Sequence, residues 1–182
     1  MDVIRAYADL GINGVAVASH VMQAASDTQS PQGILALLPI PDTVIPEQAE
    51  FALILDSIRD PGNMGTILRT ALAADVDSIF LLPGTVDPFS PKVVRAGMGA
   101  HFKLPLLNLT WDNIIELIKV RHFSCYLADT KNGRSYDRID YQPPLLFIIG
   151  GEATGVEVDT MRLSPQRVNI PMYNNVESLN AA

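Results

Sequence analysis

Apolar residues in this chain come in short runs separated by turn-forming residues. Ala52–Leu55, Ile79–Leu82, Ser124–Ala128, Leu145–Ile149 and Val168–Ile170 are such runs, bounded by glycine, proline or polar residues. They are apolar on both faces, which predicts strands covered on both sides, as in a parallel sheet. Helical spacing fills the intervals. Ile67, Leu68, Ala71 and Leu72 share one face of a helix that opens near Pro61. Ser90 can cap a second helix, with Pro91 at its first position. Thr110 can cap a third, which carries Ile114, Leu117 and Ile118. Strands alternating with helices predict an α/β domain built on a parallel sheet with flanking helices. Ligands of such sheets normally sit beyond the carboxyl ends of the strands.

Pro39, Pro41 and Pro46 stand around Asp42 and Thr43. That spacing rejects both helix and central strand. It divides the chain into a front piece, residues 1–38, a linker over 39–50, and a main domain over 51–182. There are no internal repeats and no low-complexity tracts.

Composition narrows the class. With 182 residues, 48% hydrophobic and 18% charged, the chain has enough apolar material for a core and does not read as a disordered tail. The densest apolar stretch, Leu145 to Ile149, suits a buried strand and is far too short to span a bilayer, so no membrane partner is expected. The N-terminus lacks the basic start and long apolar stretch of a secretory signal. The single cysteine, Cys125, cannot form an internal disulfide, which points to a reducing cytoplasm. A net charge of −7 argues against coating nucleic acid by bulk charge. The acidity sits at the front, however: residues 1–50 carry a net −5, residues 51–103 a net of 0, and the remainder −2. Lys92, Arg95 and Lys103 form one basic group, and Lys131, Arg134 and Arg138 another; each also fits an ordinary solvated surface.

Three motifs carry candidate chemistry. The first is DPGNMGTILRTA, Asp60 to Ala71. Pro61, Gly62 and Gly65 make a tight turn and permit close approach of another backbone. Asn63 is a good helix cap, and Arg69 lies off the apolar face. The same spacing fits a capped surface helix bearing an ordinary arginine. The second is IIGGEATG, Ile148 to Gly155, where a buried strand runs into Gly150, Gly151 and Glu152. Bare amides at a strand's carboxyl end can face a ligand. The lysine and Ser/Thr of a nucleotide-hydrolase loop are missing, so is dinucleotide spacing, and Glu152 opposes a phosphate. A plain strand-to-helix turn fits as well. The third is NIPMYNNVESLNAA, Asn169 to Ala182, in which Ser178 could simply cap a helix. His20, His101 and His122 are scattered, and His122 with Cys125 makes no metal set. No serine sits in a nucleophile elbow.

In this order the three blocks resemble those of the SpoU family of RNA ribose 2′-O-methyltransferases, within the SPOUT superfamily and TrmH-like. The resemblance covers about residues 51–182, and SDTQSPQGI over 26–34 is similar to the stretch that precedes the catalytic domain in members with a front recognition domain. It implies an α/β fold whose C-terminal part forms a deep trefoil knot, a topology nearly absent elsewhere. It implies S-adenosyl-L-methionine as cofactor, held by Ala128, Asp129 and Thr130, by Ile149, Gly150 and Gly151, and by Ile170 and Met172 with Ser178 and Leu179. It assigns catalysis to Arg69, with Asn63, Glu152, Ser178 and Asn180 nearby. It further implies a homodimer with the active site at the subunit interface, an RNA substrate, ribosomal RNA before transfer RNA, and no metal. Family members continue through a final helix beyond the position of Ala182 and carry a fuller front domain. The front piece here is similar to the tail end of that domain. A non-catalytic RNA-binding or assembly module on the same fold is the competing expectation.

Overall fold

The computed structural model describes residues 11–26, 28–150, 162–174 and 178–182. The chain divides into two compact units between Ile40 and Pro41. In the first, helix α1 (Ser19–Ala25) buries none of its residues, and Ser26 ends it by donating its hydroxyl to the Met22 carbonyl at 2.7 Å.

The second unit is a seven-stranded sheet. Its strands are β1 (Phe51–Asp56), β2 (Ser78–Leu81), β3 (Leu106–Asn108), β4 (Ser124–Ala128), β5 (Arg134–Ser135), β6 (Leu145–Gly150) and β7 (Gln166–Asn169). They lie in the order β3-β2-β1-β6-β4-β7-β5, and every pair is parallel. The expected α/β class and parallel sheet are therefore present. The last strand sits earlier than expected, at Gln166–Asn169 in place of Val168–Ile170, because its first residues pair with β4 through backbone although their side chains are polar. β3 and β5 escape the hydrophobic pattern because they are short and end in polar residues.

Alternation along the strands builds two cores. Leu53, Leu55, Ile79, Leu81 and Leu106 face one side, where helices α2 (Pro61–Ala73) and α3 (Pro91–Gly97) cover them. Ala52, Ile54, Phe80, Leu127, Leu146 and Ile148 face the other, under helix α4 (Trp111–Arg121). Met64 and Leu68 of α2 are completely buried, each contributing about 1.5–3 kcal/mol by burial. The start of β1 is fixed by Asp77, whose Oδ2 accepts from the backbone N–H groups of Glu50 and Phe51, each at 2.8 Å. Residues 41–50 lie against this unit: the Thr43 hydroxyl donates to the Leu106 carbonyl at 2.9 Å, and Arg121 donates to the carbonyls of Pro46 and Glu47.

The helix starts follow the predicted chemistry with two corrections. Asp60, not Asn63, caps α2: its Oδ1 accepts from the Asn63 N–H at 2.8 Å, with Pro61 in the first turn. Asn63 sits at the third position because Pro61 can begin a helix without losing a useful donor. Ser90 holds the cap position of α3, but its hydroxyl makes no cap bond and is buried. Thr110 does cap α4, in a reciprocal box with Asn113. On α2 the buried stripe is Met64, Gly65, Ile67, Leu68 and Ala71, whereas Leu72 turns outward and is 36% exposed. Gly65 enters this stripe because α3 crosses there.

A Cβ on Gly65 would lie 2.3 Å from the Ala96 Cβ and 2.8 Å from its carbonyl carbon. Alanine normally favours a helix interior over glycine by about 1 kcal/mol. Here overpacking, typically about 1–3 kcal/mol, opposes that gain. Gly65→Ala is expected to lower the melting temperature, and Gly65→Val to lower it further. Thermal unfolding followed by circular dichroism decides the sign; a higher melting temperature for Gly65→Ala would show that the two helices separate freely.

Candidate functional site

β6 lies between β1 and β4, and β4 lies between β6 and β7. Registers bring Asp56 beside Gly150, Leu127 beside Ile148, and Ala128 beside Val168. The carboxyl ends of β4, β6 and β7 are therefore neighbours, and the loops leaving them are the ones assigned to the cofactor. Ala128, Thr130 and Ile170 are exposed there, while Asp129, Ile149, Gly150 and Met172 are half-buried. This set is mostly backbone and aliphatic surface, which suits an adenosine moiety better than a polyanion. Gly151 and Glu152 lie outside the described residues.

The loop after β4 is built by Asp129. Its Oδ1 accepts from the backbone N–H groups of Lys131 and Asn132 at 2.8 and 3.0 Å, and its Oδ2 pairs with the Arg167 guanidinium on β7. Its own N–H donates to the Val168 carbonyl at 2.8 Å. Partial burial pushes the Asp129 carboxyl up, but the Lys131 and Asn132 amides and Arg167 together outweigh it and hold the group below the usual carboxylate range. Both carboxylate oxygens are thus occupied within the protein. Asp129 shapes the loop through both carboxylate oxygens. Gly133 completes the arrangement. At φ +117° it passes so close to β7 that a Cβ would lie 2.5 Å from the Arg167 carbonyl.

Ser178, Leu179 and Asn180 are exposed, and the Asn180 Oδ1 accepts from the Ala182 N–H at 3.2 Å. Ala181 packs against the core that also takes Phe147 and Ile149. Asn63 is half-buried in the first turn of α2, close behind the end of β1. Arg69 is exposed six residues further on, about 9 Å along the axis. The fold therefore gathers the three loops assigned to the cofactor at one end of the sheet and leaves Arg69 exposed on α2, at the Gly65 edge of the buried stripe.

Two features were not expected from sequence. Asp56, at the end of β1, is 2% exposed, accepts from the Ser57 hydroxyl at 3.1 Å, and lines a cavity of about 310 Å3 with Trp111, Asp112 and Arg162. A second cavity, about 620 Å3, lies beside the loop after β7 and is lined by Arg134, Arg138, Pro171 and Tyr173. The first hides in the strand pattern, because Asp56 reads as a turn residue. The second depends on β5, whose two polar residues carry no strand signal.

Residues 50–182 match the model of the SpoU rRNA Methylase family. The chain belongs to the SpoU family. Among SpoU relatives it is 31% identical over 174 residues to the 23S rRNA (guanosine(2553)-2′-O)-methyltransferase RlmP of Bacillus subtilis, which covers 96% of this chain and 70% of the relative. It is 29% identical to the human mitochondrial rRNA methyltransferase 3, covering 94% of this chain and 55% of that protein. Among solved structures, an AdoMet-bound rRNA methyltransferase from Sinorhizobium meliloti superposes with a TM-score of 0.78 at 30% identity, over 90% of this chain and 65% of that one. The chain thus spans between about half and 70% of the length of these SpoU proteins.

The Asp129 bridge gives an acid-sensitive contact. A carboxyl held low stabilises the fold above its unfolded value, about 3.9, and that contribution is lost as pH falls through the folded value. Asp129→Asn is expected to flatten the acid limb of stability below about pH 4 and to speed amide exchange at Lys131 and Asn132 at neutral pH. Denaturant melts across pH, with hydrogen exchange, measure both; an unchanged acid limb would remove Asp129 as a loop anchor.

Proposed function

We propose that this chain carries the methyl-transfer site of an RNA ribose 2′-O-methyltransferase that uses S-adenosyl-L-methionine. The observation that carries this reading is the convergence of the β4, β6 and β7 loops at one end of the sheet, within the region matched to the SpoU family. The AdoMet-bound Sinorhizobium neighbour supports the cofactor, and the Bacillus relative supports a ribose hydroxyl of ribosomal RNA as the acceptor. Transfer RNA is the second choice.

The bound cofactor supplies a methyl group on a sulfonium. Ala128, Thr130, Ile149, Gly150, Ile170, Met172 and Leu179 would hold it, chiefly through backbone and aliphatic contacts. Gly151, Glu152 and Ser178 belong to the same reading by resemblance. Holding the ribose oxygen in line with the transferred group would supply much of the acceleration. As the O–CH3 bond forms and the S–CH3 bond breaks, the sulfur would leave as a neutral thioether and the hydroxyl proton would pass to solvent, while Arg69 would stabilise the negative charge developing on the oxygen. An arginine stays protonated at neutral pH and so serves poorly as a proton acceptor. The exposed position of Arg69, well along α2, fits a side chain that reaches a site shared between two subunits. A homodimer with a composite site, Asn63 and Asn180 among its polar groups, is therefore part of the proposal. So are a trefoil knot, a front recognition segment over residues 1–38 and a cytoplasmic location.

Arg69→Ala is expected to leave S-adenosylmethionine affinity nearly unchanged by calorimetry. Transfer of labelled methyl to RNA should fall by roughly a hundredfold, the scale of losing one well-placed stabilising donor. Arg69→Lys should recover little, because it lacks the planar fork. A folded Arg69→Ala protein with full transfer activity would remove Arg69 from the reaction. Absence of cofactor binding by the wild-type chain would overturn the site itself.

A further inference from the structure

The turn after α3 displays an aromatic ring to solvent at an energetic cost. Phe102 is 76% exposed and Met98 77%, although both belong to the tightly anchored second unit. Their presentation is fixed by backbone geometry. Met98 and Gly99 both adopt left-handed conformations, at φ 48° and 87°, and a single 3-10 turn follows over Ala100–Phe102. A non-glycine residue in that region carries a conformational cost.

Inward-facing neighbours lock the turn. Ala100 is 1% exposed and Leu104 3%. His101 is buried, with its Nε2 2.7 Å from the Pro88 carbonyl. That carbonyl can only accept, so Nε2 carries the proton. The ring is tilted against Phe89 with centroids 5.7 Å apart, and Gly97 leaves room for it: a Cβ there would lie 2.6 Å from the His101 Cε1. Residues 100, 101 and 104 point inward, which drives Met98, Phe102 and Lys103 outward. A ring held this way loses little freedom when it meets a partner.

The surroundings are basic. Lys92 and Lys103 are exposed on the same segment, and Arg95 lies in the last turn of α3, in a chain whose net charge is −7. The segment also adjoins the proposed catalytic helix. Ala96 of α3 touches Gly65 of α2, and Arg69 lies one turn beyond Gly65 on the same side of α2. An exposed aromatic ring next to Lys103, on a segment that also carries Lys92 and Arg95 and packs beside the helix with Arg69, has the chemistry of a stacking platform for an unpaired base.

We propose that the Met98–Lys103 turn is a substrate-positioning contact, in which Phe102 stacks on an unpaired base of the RNA while Lys92 and Lys103 meet flanking phosphates. This rests on the RNA-methylating reading above and adds to it the form of the substrate, an unpaired nucleotide near the modified one. Neither Phe102 nor the lysines take part in the chemical step.

The test uses the full chain with fluorescent single-stranded and duplex RNA oligonucleotides, read by anisotropy, with S-adenosylmethionine calorimetry and thermal melting in parallel. Phe102→Ala and Phe102→Leu should each weaken single-strand binding roughly tenfold, the scale of one lost base stack. Phe102→Trp should retain it, and duplex binding should change little. Lys103→Ala should reduce the slope of log affinity against log salt by about one. Melting temperature and cofactor affinity should stay at wild-type values in all four. Wild-type RNA and cofactor binding that persists unaltered in Phe102→Ala overturns this inference and leaves the functional reading standing. A Phe102→Ala variant that changes sedimentation while each protomer keeps its RNA affinity overturns it in favour of a contact between copies. A wild-type chain that binds neither RNA nor cofactor overturns both readings.

Discussion

The structure depends on β6 pairing on both sides. Six residues of β6 register against β1, from Phe51–Leu145 to Asp56–Gly150, and four against β4. Without β6 the sheet falls into one group of β1, β2 and β3 and another of β4, β5 and β7. Its sequence, LLFIIG, meets that demand with residues whose faces alternate between the two cores: Leu146 and Ile148 enter the core under α4, and Phe147 and Ile149 pack on the other. Both faces of β6 pack on a core, which is why no polar residue precedes Gly150. Pairing on both sides also places the end of β6 between the ends of β1 and β4. Asp56 and Gly150, 94 residues apart, become direct neighbours by register.

The second constraint is the crossing of α2 and α3. It converts a glycine that looks like a turn former into a helix-packing residue. That crossing sets the position of the α3 turn relative to Arg69, so the helix proposed to carry the chemistry and the turn bearing Phe102 are one mechanical unit. The core beneath them, with Met64, Leu68 and Val93 fully buried, keeps both from sliding.

Legibility in the sequence tracked the strength of the local signal. β1, β2, β4 and β6 are apolar on both faces and bounded by turn residues, so pattern alone located them to within a residue. β3 and β5 were invisible because three and two residues carry no period. Thr110 revealed its cap because the reciprocal Asn113 lies within one turn. Pattern cannot choose between Asp60 and Asn63 as the cap, since both residue types favour that role and only the backbone shows that Asp60 adopts the extended cap conformation. The loops assigned to the cofactor are nameable from motif resemblance. Their convergence is not, because strand order is a long-range property absent from any local pattern. Asp129 shows the limit most clearly: resemblance marks it as a cofactor residue, whereas the partners that define its carboxylate are Arg167, 38 positions away, and two amides of its own loop.

Charge is the remaining question for a chain of net −7 that is to hold RNA. Bulk attraction is unavailable, and long-range steering by net charge would oppose approach. Local cations must therefore be placed where the strand runs, and the acidic residues must be occupied elsewhere. Three acidic side chains near the sheet are so occupied: Asp60 caps α2, Asp77 fixes the start of β1, and Asp129 holds its loop against Arg167. Each carboxylate is satisfied by backbone N–H groups, and Asp129 by a guanidinium as well, which lowers its field toward solvent. The basic groups at Lys92 and Lys103, and at Arg134 and Arg138, remain exposed. An acidic chain arranged in this way favours short, specific contacts over non-specific coating, because affinity must come from stacking and a few phosphates in place of an extended positive field. Contacts of that kind suit the proposed function, in which a particular nucleotide of an RNA is held against the cofactor loops.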